Sequence, residues 1–246
     1  GTYQPSTGQS SCIDASAGYY VGNTASTTQT ACVAGTYQPN TGQSSCTDAS
    51  AGYYVDSVAS TTQTACAVGT YQPSSAQLSC TDASAGYYVP STASTSQTAC
   101  ILGTYQDSSG QSSCIDAFAG YYVGNTASTT QTACVAGTYQ PNTGQSSCTD
   151  ASAGYYVDSV ASTTQTACAV GTYQPSSAQL SCTDASAGYY VPSTASTSQT
   201  ACILGTYQDS SGQSSCTDAF AGYYVPSTAS TTQTACAAGT YQPSTG

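Results

Sequence analysis

Short apolar runs alternate along the whole chain with polar residues that form turns. The typical runs are Gly-Tyr-Tyr-Val at residues 18–21 and Gly-Thr-Tyr-Gln at residues 1–4, and they lead into turn formers such as Pro5-Ser6 or Asp56-Ser57. Aromatic and β-branched runs of about four residues, bounded by Gly, Pro, Asp and Ser, predict short strands joined by turns. No stretch has the 3.6-residue periodicity of an amphipathic helix, so no helix is expected.

The tetrapeptide Gly-Thr-Tyr-Gln recurs along the chain with a strict 34-residue period, as at Gly1, Gly35 and Gly69, and with no insertion. A fixed period of this length indicates an array of structural repeats. We therefore predict seven repeats, followed by the start of an eighth. The seven repeats span residues 1–34, 35–68, 69–102, 103–136, 137–170, 171–204 and 205–238, and residues 239–246 are the start of the eighth.

Two further periods accompany the 34-residue repeat. Gly18-Tyr19-Tyr20 falls midway between Gly1 and Gly35, so each repeat consists of two related halves. Residues 35–68 recur unchanged at 137–170, which indicates duplication of a block of three repeats. The array ends in the opening of another copy and shows no atypical capping repeat, so we expect the natural chain to continue beyond both ends.

The fold class that these patterns predict is small, disulfide-rich and mostly β or irregular. Tandem 34-residue repeats with short strands and turns should form an elongated rod. A 34-residue unit buries little core by itself, so its stability should come from disulfides and from stacking on its neighbours. The chain has 22 Tyr, two Phe and no Trp, so Tyr rings are expected to supply the apolar mass against the disulfides.

The composition removes whole classes of function. The chain has no Lys, Arg or His, all 11 acidic residues are Asp, and the formal net charge is −11. General acid–base chemistry near neutral pH relies on His, perturbed Glu or Lys, so no enzyme is expected. Neutralising phosphates requires Lys or Arg, so nucleic acid is not an expected partner. No apolar run approaches the roughly 18 residues that span a bilayer, so this segment should have no membrane contact.

Fourteen Cys in a chain of low hydrophobicity are typical of secreted, oxidised proteins. The Cys are separated by strictly alternating 20-residue and 14-residue gaps, from Cys12 to Cys236. Pairing across the 20-residue gaps uses every Cys, whereas pairing across the 14-residue gaps leaves Cys12 and Cys236 to partners beyond the ends. The spacing by itself leaves both pairings open.

The segment from Cys32 to Cys46, with its Cys-x2-Gly-x-Tyr…Cys pattern, resembles the modules of ephrin-receptor-like and tumour-necrosis-factor-receptor-like cysteine-rich repeats. The resemblance covers every repeat. It implies disulfides between the two Cys that flank each Gly-x-Tyr segment, each contributing roughly 3 kcal/mol by restricting the unfolded chain. The sequence departs from the family at Ala15, where a further Cys would be expected. The implied pairs are Cys32–Cys46, Cys66–Cys80, Cys100–Cys114, Cys134–Cys148, Cys168–Cys182 and Cys202–Cys216.

Ser and Thr clusters with interspersed Pro are typical of O-glycosylated stalks. They predict covalent O-glycans as the only added group, with no cofactor. The opposing interpretation is a bare, solvated loop. One Asp follows the first Cys of each repeat, but a single carboxylate rarely suffices for calcium, so no metal site is expected. The glycosylation candidates of the first repeat are Ser6, Thr7, Thr24, Ser26, Thr27, Thr28 and Thr30.

These observations together predict a structural component of an extracellular fibre or filament at a cell surface. Its expected partners are copies of itself or neighbouring fibre subunits, and glycans. The alternative is the stalk of an adhesin or receptor-like protein that presents a binding domain lying outside this sequence.

Overall fold

A computed structural model describes residues 1–245, so Gly246, the last residue of the eighth repeat's opening, lies outside the described part. Within it the regular structure consists of 28 two-residue strands that pair as antiparallel hairpins, with no helix. Hairpins begin at Thr2, Tyr19, Thr36 and Tyr53, so two hairpins fill each 34-residue period. The prediction of short strands without helix is confirmed. The exact repeat boundaries and the rod shape remain predictions.

The first hairpin of each repeat opens with Gly-Thr-Tyr and is called the threonine hairpin. The threonine hairpins are β1 (Thr2–Tyr3) with β2 (Ile13–Asp14), β5 (Thr36–Tyr37) with β6 (Thr47–Asp48), β9 (Thr70–Tyr71) with β10 (Thr81–Asp82), β13 (Thr104–Tyr105) with β14 (Ile115–Asp116), β17 (Thr138–Tyr139) with β18 (Thr149–Asp150), β21 (Thr172–Tyr173) with β22 (Thr183–Asp184), and β25 (Thr206–Tyr207) with β26 (Thr217–Asp218).

The second hairpin of each repeat opens with Gly-Tyr-Tyr and is called the tyrosine hairpin. The tyrosine hairpins are β3 (Tyr19–Tyr20) with β4 (Thr30–Ala31), β7 (Tyr53–Tyr54) with β8 (Thr64–Ala65), β11 (Tyr87–Tyr88) with β12 (Thr98–Ala99), β15 (Tyr121–Tyr122) with β16 (Thr132–Ala133), β19 (Tyr155–Tyr156) with β20 (Thr166–Ala167), β23 (Tyr189–Tyr190) with β24 (Thr200–Ala201), and β27 (Tyr223–Tyr224) with β28 (Thr234–Ala235).

The chain divides into two compact units. Unit 1 comprises residues 1–116 and 123–131, and unit 2 comprises residues 117–122 and 132–246. Each unit contains three disulfides among its described residues. The same backbone contacts recur inside both units, so the junctions between hairpins in unit 1 have counterparts in unit 2.

Backbone hydrogen bonds connect each hairpin to those that come after it. In unit 1 the Gly18 amide donates to the Gln38 carbonyl at 2.8 Å, which joins a tyrosine hairpin to the next threonine hairpin. The Ala59 amide donates to the Cys32 carbonyl at 2.8 Å, which reaches the next hairpin but one. In unit 2 the Ala161 amide donates to the Cys134 carbonyl in the same way, at 2.8 Å. Each hairpin, whose strands are only two residues long, is therefore stabilised by its neighbours, as expected for a repeat array.

The core consists of small side chains. One buried position alternates between Ala and Cys from hairpin to hairpin, as at Ala15 and Cys32, both without exposed surface. A second buried position alternates between Val and Gln, as at Val21 and Gln38. The Tyr rings of the strands are only half-buried, so the fully buried core consists of Ala, Val and Cys, while Tyr rings such as Tyr20 lie beside the disulfides nearer the surface. The narrow spacing of adjacent hairpins leaves room in the core for methyl and isopropyl groups and for disulfide sulfurs.

Two structural features require glycine at the position that opens a hairpin, as Gly52 shows. Gly52 has a φ of +84°, in the left-handed region that favours glycine. A Cβ at this position would lie 2.3 Å from the carbonyl oxygen of Ala93, two hairpins further along the chain. Backbone atoms cannot move aside as a flexible side chain can, so glycine is what permits this approach between hairpins.

Candidate functional site: the disulfide junctions and their surface

In the described part of the chain, six disulfides join tyrosine hairpins to the threonine hairpins that come next. Each spans 14 residues with a Cα–Cα distance of 5.7 or 5.8 Å, which is an ordinary separation for a disulfide. Pairing across the 20-residue gaps, which the spacing left open, does not occur among these residues. Cys12 is exposed and Cys236 half-buried, and neither is bonded within residues 1–245. We call each bonded segment a disulfide junction. The bonds are Cys32–Cys46, Cys66–Cys80, Cys100–Cys114, Cys134–Cys148, Cys168–Cys182 and Cys202–Cys216.

The other junctions, from a threonine hairpin to the next tyrosine hairpin, have Ala and Gln where the disulfide junctions have two Cys. Ala15 and Gln29 precede Cys32 and Cys46 by the same 17-residue offset. The Gln29 side-chain carbonyl accepts a hydrogen bond from the Ser16 amide at 2.7 Å. The same bond recurs at later junctions, which we call glutamine junctions. The sequence identified the missing Cys at Ala15 but not the Gln that replaces its partner.

In each threonine hairpin a second Gln side chain forms hydrogen bonds to the backbone of the loop. Gln38 is buried, its Nε2 donates to the Ser45 carbonyl at 2.9 Å, and its Oε1 accepts from the Asn40 amide at 3.1 Å. Both polar ends of the buried amide are therefore satisfied. Within residues 1–245 every buried side-chain nitrogen and oxygen has a partner. A burial cost for polar groups is thus avoided throughout the described part.

A shallow apolar depression lies beside the disulfides. At Cys46 it has a volume of about 270 Å³ and is lined by Tyr20, Val33 and Thr36, among others. Equivalent depressions of about 260 and 250 Å³ lie at Cys114 and Cys216. A wider one, of about 520 Å³, lies at Cys80. We call these the disulfide depressions.

The predicted glycosylation residues lie in and around the loops of the first two hairpins. All are exposed except Ser26, which is half-buried and donates its hydroxyl to the Asn23 carbonyl at 2.8 Å. Thr30 lines the disulfide depression at Cys46. Thr27 and Thr28, at the open loop of the tyrosine hairpin, lie outside the linings of these depressions. Glycosylation at the seven candidates remains a prediction.

The structure offers little to bind a metal ion. The Asp that follows the first Cys of each repeat lies on an exposed strand, as Asp48 does opposite Thr36. The residues that the structure describes contain no group of three or more metal-binding side chains. Among the same residues, no helix is long and apolar enough to cross a membrane.

Small, disulfide-closed hairpins at fixed spacing define the protein as a disulfide-rich repeat array. A model of the family described as tyrosine-protein kinase ephrin type A/B receptor-like matches residues 52–100 and 154–202. In these two segments the chain thus carries ephrin-receptor-like cysteine-rich repeat modules with tandem disulfides. A comparison with curated proteins finds no match. The modules found are non-catalytic, no catalytic domain was identified, and repeats of this kind are typical of extracellular proteins.

Proposed function

We propose that this chain is a structural segment of an extracellular fibre or filament. The observation that carries the proposal is the uniform junction: hairpins succeed one another at a constant 17-residue spacing, and a disulfide closes every second junction. Hydrogen bonds to the next hairpin and the next but one distribute a load over several covalent and non-covalent connections. A chain in which the same two junctions alternate suits a mechanical role, because successive repeats have the same closures and share a load evenly.

The fibre carries O-glycans on its exposed loop hydroxyls. Thr27 and Thr28 are good acceptors, since both are exposed at a hairpin loop, as are Ser6, Thr7 and Thr24. Ser26 is the poorest, because its hydroxyl is already bonded to a carbonyl. Glycans at such loops would shield the hairpins from proteases. The absence of Lys and Arg removes trypsin-type cleavage sites as well.

Electron cryomicroscopy of the native material tests this proposal. Filaments with an axial period that matches one 34-residue repeat, and with branched density on Thr27 and Thr28, are expected. Discrete particles without filaments would contradict the fibre. Filaments with bare hydroxyls would contradict glycosylation and leave the fibre intact.

The match to a receptor-like family favours a second candidate, the stalk of a cell-surface adhesin or receptor-like protein. In that case the array holds a binding domain away from the surface. The two candidates differ in the sequence that lies beyond the array in the full-length gene product. A distinct terminal domain supports the stalk, whereas further repeats that assemble with one another support the fibre.

A further inference from the structure

The large aliphatic side chains of this protein all lie on its surface. The chain has four Ile and four Leu, and every one of them is exposed. Large aliphatic residues are normally among the most buried, and contiguous exposed apolar surface marks interaction sites. The exposed residues are Ile13, Ile101, Ile115, Ile203, Leu78, Leu102, Leu180 and Leu204.

Each disulfide depression has one exposed Val, Ile or Leu side chain on its wall, but not always from the same position. Val33 and Ile101, 65% and 69% exposed, directly follow the first Cys of their junctions. At the intervening junction that position holds the smaller Ala67, and Leu78, two residues before the second Cys, lines the depression.

The exchange between these two positions is systematic within the chain. Where Val33 or Ile101 provides the aliphatic group, the position equivalent to Leu78 is Ser44 or Ser112. The protein thus keeps one exposed aliphatic group per disulfide depression. A surface that only faced water would not need an aliphatic group at each depression. The same exchange recurs in unit 2 with Val135, Ala169 with Leu180, and Ile203.

We propose that the disulfide depressions form an interface between two copies of this chain, paired side by side. One depression is too small to hold a partner, because stable interfaces bury about 1,200 Å² or more. A partner must therefore engage several depressions at once, which raises its overall affinity strongly. It must present apolar groups at the same 34-residue spacing, and a second copy carries them at that spacing.

The charges also favour a second copy. As the structure describes them, the linings at Cys46, Cys114 and Cys216 contain no Asp, although the chain has a net charge of −11, whereas the wider lining at Cys80 includes Asp56. Two acidic chains can therefore meet at the depressions beside Cys46, Cys114 and Cys216 without burying a carboxylate, which would be costly. A basic partner would find no carboxylate to pair with there.

The biological role of this dimerisation rests on the proposed fibre function, but the test of dimerisation uses the purified chain in solution. Its failure would therefore leave the fibre proposal, which is tested on native filaments, in place. The test is sedimentation equilibrium of residues 1–246 with intact disulfides and without glycans. We expect a concentration-dependent dimer. Replacing Ile101→Ser together with Ile203→Ser should weaken dimerisation about tenfold or more for each depression.

The matched control replaces Val58→Ser together with Val160→Ser. Both residues are 67% exposed, lie in tyrosine-hairpin loops, and line none of the disulfide depressions. The control should dimerise as the unmodified chain does. A chain that stays monomeric at all concentrations would overturn the proposal. So would equal weakening by the control, or a dimer that survives the Ile replacements. Circular dichroism and a count of free thiols establish that each variant is folded.

Discussion

The disulfide junction and the glutamine junction solve one structural problem with different chemistry. At both, a buried small residue donates its amide to the carbonyl of the glycine that opens the same hairpin, Ala49 to Gly35 and Cys66 to Gly52, at 2.8 and 2.9 Å. The carbonyls of Ala49 and Cys66 each accept an amide from two hairpins further on. The backbone is therefore the same, and only the side-chain closure differs.

The two side-chain closures differ in how much they stabilise the junction. In the glutamine junction a single hydrogen bond from Ser50 to Gln63 takes the place of the disulfide from Cys66 to Cys80. A hydrogen bond contributes about 1 kcal/mol net, whereas a disulfide over this loop length contributes about 3 kcal/mol. Alternating the two gives one covalent connection to every hairpin from β3 with β4 to β25 with β26. Such an array needs half the Cys of a fully bonded one.

Reduction of all six disulfides should have the largest effect, since it leaves only the weaker type of closure. We expect the reduced chain to unfold at ordinary laboratory temperature, because short hairpins with a core of Ala and Val cannot compensate for six lost disulfides. Circular dichroism and the guanidinium midpoint, with and without a phosphine reductant, measure the change. Alkylation of Cys12 and Cys236 without reductant is the control and should change nothing. A reduced chain that keeps its native spectrum would show that the disulfides are dispensable.

Exchanging the two closures should come next in size. Ala49→Cys together with Gln63→Cys converts a glutamine junction into a disulfide junction, and we expect a local gain of about 2 kcal/mol, the difference between the two closures. The converse exchange, Cys66→Ala together with Cys80→Gln, should lose a similar amount. Hydrogen exchange at the Cys66 or Ala49 amides measures the local stability, and mass spectrometry reports whether the new bond forms. Two free thiols in the first variant would contradict the equivalence of the two backbones.

Removing the glutamine closure alone should have a moderate effect. Gln63→Ala takes away the acceptor of the Ser50 amide and should cost about 1 kcal/mol. Faster exchange of the Ser50 amide is the specific measurement. The control is Gln43→Ala, whose side chain donates only to the nearby carbonyl of Thr41 in an exposed loop. Unchanged protection of Ser50 would mean that the Gln63 side chain does not close the junction.

The smallest effect is expected at the left-handed position of the hairpin loops. Tyrosine hairpins have Ala there, for example Ala93 at φ +55°, whereas most threonine hairpins have Gly, as at Gly42. Ala93→Gly should stabilise the chain by at most about 1 kcal/mol, because relief of backbone strain is partly offset by a more flexible unfolded state. Thermal denaturation of the variant beside Gly42→Ala, where destabilisation is expected, measures both. A loss of stability in Ala93→Gly would contradict the strain argument.

Much of the fold could be predicted because its signals are local. Gly, Pro and Asp mark turns, paired aromatic and β-branched residues mark strands, and the 34-residue period with its internal half predicts two hairpins per repeat. The disulfide depressions and the Ser50–Gln63 closure could not be predicted, since they depend on residues from different hairpins. A comparison of Ala15 and Gln29 with Cys32 and Cys46 at a 17-residue offset was the one signal that could have revealed the glutamine junction.

By itself, the sequence determined the period, the strand-and-turn character and the resemblance to ephrin-receptor-like modules. These depend on residue types and their spacing along the chain. The tertiary structure decided which side chains form the core. It placed Ala, Val and Cys inside and every Ile and Leu outside, the reverse of what hydrophobicity alone suggests. The physical reason is the short distance between hairpins. The backbone at Gly52 lies against the backbone at Ala93, two hairpins further on, and this close approach leaves space in the core for small side chains.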